Sequence, residues 1–257
     1  MAGVTTIAVA NQKGGVGKTT TVASVGAALA EDGHRVLLVD MDPQGSLTFS
    51  LGIDPEDLAV TVGDVLTGRK PAPEAIVNTE DAVDLLPSNI DLTRAEQRLI
   101  NATGREHRLA AGLQHVTAEY DWILIDCPPS LGIMTVGALT AADGVVIPLQ
   151  CETLSHRGVG QLLDTIFDVR AYVNTELDVI GVLPTLFDGR TRHSQEVLEA
   201  VATGYDLRVL EPAVPKSIRF AEAPAIGRSI LDTARRHKGA WAYRQVAQWF
   251  QSEYGSD

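Results

Sequence analysis

Residues 11–20 read NQKGGVGKTT, a composition suited to gripping a phosphate chain. Gly17, Lys18 and Thr19 close the pattern G-x-x-x-x-G-K-[S/T]. In it glycines let backbone N–H groups converge on phosphate oxygens, the lysine reaches the β- and γ-phosphates, and the hydroxyl binds Mg²⁺. The leading glycine is replaced by Gln12, and Lys13 places a second cation ahead of Gly14 and Gly15. The candidate nucleotide-binding residues are therefore Lys13, Gly14, Gly15, Val16, Gly17, Lys18, Thr19 and Thr20. Two further stretches carry carboxylates after apolar runs. VDMDPQG contains Asp40 and Asp42, and ILIDCPPS contains Asp126. A hydrophobic strand ending in Asp holds Mg²⁺ in phosphate-loop nucleotide hydrolases, which makes Asp126 and Thr19 metal-side candidates. Asp40 is either a second metal-side group or the cap of a turn. Asp42 is placed to orient the attacking water or accept its proton.

These residues need elements that bring them to one edge. TTIAVA (5–10), RVLLVD (35–40), AVDLLPS (82–88), DWILID (121–126), GVVIPLQ (144–150) and DVIGVLPT (178–185) read as buried strands. Helices are expected over 18–32, with Val22, Val25, Ala28 and Leu29 on one face, and over 91–101, 104–118, 131–141, 155–173, 192–204 and 238–253. Gly33 stands where a left-handed helix stop belongs. Short helical pieces are expected between 45 and 75, near Val62–Leu66. Strands alternating with helices predict an α/β fold, a mainly parallel twisted sheet covered by helices on both faces. Ligands of such sheets sit at the carboxyl ends of the strands, where the loop and all three carboxylates fall. No repeat or linker divides the chain, so residues 1–257 read as one domain.

Together, KGGVGKTT, VDMDPQG and ILIDCPPS closely resemble the ParA/Soj/MinD group of deviant Walker A ATPases. The resemblance implies that Lys13 is a signature lysine, delivered across an ATP-bound homodimer to the partner subunit's nucleotide, and that Asp42 activates water. Lys13, Lys18 and Asp42 are then the catalytic set, with ATP and Mg²⁺ as cofactors. It continues through LPTLFDGRTRHSQEVLEAV (183–201) and VPKSIRFAEAPAIGRSIL (214–231), which are similar to chromosomal ParA/Soj segments. There it implies nonspecific duplex-DNA binding by Arg190 and Arg219, with Arg192, Lys216 and Arg228 as helpers or plain surface charges. Pro215 and Ser217 match the nucleotide-base region, although the family usually carries Asn where Ser217 stands. A ParB-like, centromere-binding partner, a role in chromosome or plasmid partition, and a cytoplasmic, nucleoid-associated location follow from the same resemblance. Two alternatives share the chemistry: positioning of a non-DNA cargo on the nucleoid, and a MinD-like role at the membrane surface. With the loop beginning at residue 13, the N-terminal helix-turn-helix domain of large plasmid partition ATPases is not expected.

Charge and composition fit this picture. The net charge is −12, against a generally nucleic-acid-binding surface. Residues 1–150 hold 9 Lys+Arg and 19 Asp+Glu, whereas residues 186–244 hold 10 and 7, a local excess of three positive charges. No apolar run approaches the ~18 residues of a membrane span, and the C-terminal helix has an apolar stripe (Ala242, Val246, Trp249, Phe250) without a basic opposite face, so core packing and no membrane contact are expected. Cys127 and Cys151 read as reduced structural thiols.

Overall fold

The computed structural model describes residues 3–151 and 155–255, with backbone only for 155–157. Among these residues seven strands form one sheet. They are β1 (Thr5–Val9), β2 (Val36–Asp40), β3 (Val77–Asn78), β4 (Asp84–Leu86), β5 (Trp122–Asp126), β6 (Gly144–Gln150) and β7 (Asp178–Thr185), in the order β3-β4-β2-β5-β1-β6-β7. All neighbours pair in parallel except β3 with β4. The expected mainly parallel sheet is thus the observed one, with one short antiparallel edge strand added. Two residues leave too little alternation for β3 to be read from sequence.

Helices cover both faces because strands buried on both sides need cover on both. One face packs α3 (Val62–Leu66), α5 (Leu92–Leu99), α6 (Arg108–Leu113), α7 (Ile133–Ala141) and α8 (Ser155–Tyr172) around Leu37, Val39, Ile123, Ile125 and Val145. The other packs α1 (Lys18–Glu31) and α12 (Lys238–Tyr254) around Ile7, Leu38, Trp122 and Leu124. The apolar stripe of α12 is core, with Ala242, Val246 and Phe250 buried and Phe250 stacked 6.3 Å from Trp122. In α1 the expected face, Val22, Val25, Ala28 and Leu29, is buried, but so are Thr21, Ala23, Ser24 and Ala27. Small residues let this helix sit close to the sheet: a Cβ on Gly26 would lie 2.6 Å from the Leu38 side chain.

Elsewhere the observed elements differ from the expected ones. The helix expected over 104–118 is broken into a 3-10 turn at Arg105–His107, α6, and another 3-10 turn at Thr117–Glu119. Gly104 starts this run in the left-handed region (φ 62°). Between 45 and 75 the short helical pieces are where they were expected, as α2 (Ser46–Ser50), α3 at Val62–Leu66 and α4 (Ala72–Ala75). Residues 219–233 hold α9's unforeseen successors, α10 (Arg219–Glu222) and α11 (Ile230–Thr233), after α9 itself (Arg192–Tyr205). Four-residue helices show no measurable 3.6-residue period, so pattern reading passes over them.

Candidate phosphate and metal site

Register brings the carboxylates together. Asp40 and Asp126 end β2 and β5 and lie directly beside each other, and Val9, the last residue of β1, pairs with Asp126 on its other side. The loop therefore leaves the sheet next to Asp126. Gly15 and Gly17 take positive φ (73° and 88°), a conformation that strains any residue with a Cβ. Gly17 caps α1 with no side-chain acceptor for the first N–H groups, which leaves a helix N-terminus aimed at the site. Three contacts hold the loop from outside its own motif. Thr185, at the end of β7, donates its hydroxyl to the Val16 carbonyl at 2.6 Å. Asn11 donates to the Pro148 carbonyl at 2.7 Å and accepts the Lys13 N–H at 2.9 Å.

Lys18 is buried, and its Nζ donates to the Lys13 carbonyl at 3.3 Å. Burial lowers its pKa, opposed by Asp126, Cys127 and Asp42, so the ammonium has lost hydration that a bound anion can replace. Thr19 donates its hydroxyl to Asp126 Oδ2 at 2.7 Å, while Asp126 Oδ1 is buried with no partner. Burial and the neighbouring Asp40 carboxylate push the Asp126 pKa well up, against the Thr19 hydrogen bond and Lys18. An unsatisfied buried carboxylate oxygen beside a hydroxyl oxygen fits a hard divalent cation. Among the described residues no three His, Cys, Asp or Glu side chains form a metal cage. Mg²⁺ takes few protein ligands and draws the rest from water and phosphate.

Asp40 has both oxygens engaged. Oδ1 accepts the Asp42 N–H (3.1 Å), and Oδ2 accepts the Thr48 N–H (2.9 Å) and hydroxyl (2.8 Å). Its geometry is that of a buried anchor for the turn that carries Asp42, and burial raises its pKa to about 6. Asp42 is half-buried and accepts the Gln44 N–H at 2.9 Å. Thr48, whose hydroxyl also accepts the Ser88 N–H at 3.0 Å, had no signal in the sequence, because a Thr eight residues beyond a strand end resembles any other Thr. Lys13 reaches Gln150 Oε1 at 3.4 Å across a cavity of about 310 Å³ that also meets Asn11, Gln12, Val16 and Leu149.

The late basic segment follows β7, the strand at one edge of the sheet. Phe187 bridges to Pro215, and the Lys216 N–H donates to the Phe187 carbonyl at 3.3 Å, so the loops after β7 and around 215 lie together. Arg190 is exposed and forks onto Asp188 through two 2.9 Å bonds, which hold the Asp188 pKa down to about 2. Exposed Arg219 pairs with Glu222 at 2.8 Å. Arg192 pairs with Glu196. Arg228 instead bridges Glu80, Asp81 and Asp232, a clamp between two parts of the fold. His237 Nδ1 accepts the Gly239 N–H at 2.9 Å, which leaves the proton of the neutral ring on Nε2, 3.2 Å from Ser217 Oγ. Ser217 Oγ also accepts the Arg219 N–H at 3.2 Å.

A phosphate loop between β1 and α1, with carboxylates at the ends of β2 and β5, defines a P-loop nucleotide hydrolase. Comparison with known proteins narrows this. A family model described as AAA domain matches residues 4–179. The sporulation initiation inhibitor protein Soj of Bacillus subtilis is 44% identical over 243 residues, 94% of this chain and 96% of Soj. The chromosome partitioning protein ParA of Caulobacter vibrioides is 42% identical, over 94% of this chain and 92% of its own length. A Mycobacterium smegmatis structure described as cobyrinic acid a,c-diamide synthase, with bound ATP analog and magnesium, superposes with a TM-score of 0.88 at 50% identity, covering 98% of this chain and 96% of that one. The chain belongs to the ParA/Soj family of partition ATPases. No helix of the described residues is long and apolar enough to cross a membrane.

Proposed function

We propose that the whole chain is one Mg²⁺-dependent ATPase domain that dimerises on ATP, holds duplex DNA nonspecifically in that state, and partitions a chromosome or plasmid with a ParB-like partner that stimulates hydrolysis. The observation that carries this is the buried, half-satisfied Asp126 carboxylate bonded to Thr19 at the head of a phosphate loop that carries a second lysine. The magnesium-bearing ATP-analog complex of the Mycobacterium smegmatis relative supports it.

The backbone N–H groups of Gly14 to Thr19 receive the phosphate chain, whose charge makes up for the hydration that burial takes from Lys18. Thr19 and Asp126 are the metal-side residues, and Mg²⁺ bound there neutralises charge on the β- and γ-phosphate oxygens. Asp40 holds the turn on which Asp42 orients the attacking water. Lys13 of each subunit serves the nucleotide of the other, so that the catalytic charge is complete only in the dimer. Pro215 and Ser217 face the nucleotide base. Arg190 and Arg219 exchange their carboxylate partners for DNA phosphates, a contact that carries no base readout and weakens with salt. The protein then works in the cytoplasm, on the nucleoid.

A duplex-DNA shift assay with ATP, ADP or no nucleotide, at two salt concentrations, tests this reading. Salt-sensitive retention with ATP alone is expected, and equal retention in all three states would sink it. The description of the Mycobacterium smegmatis relative suggests a second reading, ATP-driven amidation. Phosphate release that needs only ATP, and rises with DNA and a ParB-like protein, separates hydrolysis from amidation, which requires a carboxylate acceptor and a nitrogen donor.

A further inference from the structure

A cavity of about 390 Å³ opens between α3 and α6, lined by Arg69, Lys70, Arg108 and His115 over a floor that includes Val65 and Gly112. None of residues 13–20, Asp40, Asp42 or Asp126 lines it. Its position in an acidic body makes it unusual. Residues 1–150 hold 9 Lys+Arg against 19 Asp+Glu, yet three of those nine cations line this one cavity. Arg69 and Lys70 are partly compensated, by Asp64 at 2.9 Å and Glu74 at 2.5 Å. The side chains of Arg108 and His115 are exposed and make no hydrogen bond or ion pair among the described residues. The helix dipole does not account for Arg108, which opens α6 at the end where a cation gains nothing.

The cavity is built to keep its shape. Gly112 lets α6 approach α3, since a Cβ there would lie 2.6 Å from Val65. Gly68 turns the chain through the left-handed region (φ 70°), and the Arg69 N–H returns to the Asp64 carbonyl at 2.9 Å, which sets the direction of Arg69 and Lys70. Forked guanidiniums on two walls match a phosphate group. The volume falls in the range of small-molecule sites. An extended polyanion would run from the cavity onto a surface of net negative charge, which favours a compact ligand over DNA.

We propose that this cavity is a second anion site, which takes a small phosphorylated molecule and is separate from the nucleotide loop. The test is calorimetric titration of inorganic pyrophosphate into the full chain saturated with MgADP, so that the loop is already filled. One further pyrophosphate per chain should bind, at least tenfold more weakly in Arg69→Ala/Arg108→Ala, with Arg108→Gln as a milder variant should the double one unfold. No binding below millimolar concentration, or binding unchanged in both variants, would overturn the proposal. So would displacement of pyrophosphate by a short duplex DNA, because the cations would then belong to a nucleic-acid surface. Vesicles rich in an anionic phospholipid form a third arm, and their capture through the same residues would assign the cavity to a membrane headgroup instead of a free molecule.

Discussion

Thr48→Val tests the role of Asp40 as a buried anchor. Valine matches threonine in shape, so the change removes one hydroxyl from a fully buried position. That hydroxyl donates to Asp40 Oδ2 at 2.8 Å and accepts the Ser88 N–H at 3.0 Å. A hydrogen bond to a charged group contributes about 1.5–3 kcal/mol, and a stranded buried N–H costs about 1–3 kcal/mol. The two share one atom and do not add fully, so about 3 kcal/mol is expected near pH 7. For a chain of this size that is a fall in Tm of roughly 6–12 °C. The pH dependence carries a sign. The folded pKa of Asp40, about 6, lies above its unfolded value, so its contribution is fully present below about pH 4 and is lost as pH rises through about 6. Removing a hydrogen bond to the ionised form raises the folded pKa further. The Thr48→Val loss should therefore be larger at pH 7 than at pH 4.5, and Thr48→Ser should restore most of it. Urea unfolding at both pH values measures this. A loss under about 1 kcal/mol at pH 7, or an equal loss at both, would refute the anchoring role.

Lys13→Ala should keep nucleotide affinity within about tenfold while dimer-dependent hydrolysis falls about 10³-fold, the scale of a finger delivered in trans. Equilibrium binding beside phosphate release separates the two, and a parallel loss of both would place Lys13 in the phosphate grip itself. Asp188→Asn frees the Arg190 fork and should tighten ATP-dependent DNA retention about twofold to fivefold at low salt. Weaker retention in a filter-binding titration would mean that Asp188 orients Arg190 for DNA. Gly227→Ala should destabilise by about 2–4 kcal/mol, because its Cβ would lie 2.6 Å from the Gly52 Cα at a φ of +69°. Thermal unfolding reads this, and a wild-type Tm would show that the two loops part easily.

By itself the sequence determined the parts whose signal is local. A glycine-rich turn between an apolar run and a helix reads as a phosphate loop, because the required φ angles and free N–H groups are properties of those few residues. Buried strands read as aliphatic runs, and runs ending in Asp pointed to the carboxylates before any fold was known. The alternation of strand and helix set the class of sheet. Only the tertiary structure decided how these parts meet. Strand order puts β5 between β1 and β2, so Asp126 gains both Thr19 and Asp40 as neighbours, 107 and 86 positions away in the chain. The same packing engages both Asp40 oxygens, joins Thr48 to Ser88, and draws Arg228 out of the basic edge into a clamp. It also gathers Arg69 and Arg108 around one cavity, though they stand 39 positions apart. Such contacts depend on register and helix approach. Those are set by the packing of the whole core, and no short stretch of residues encodes them.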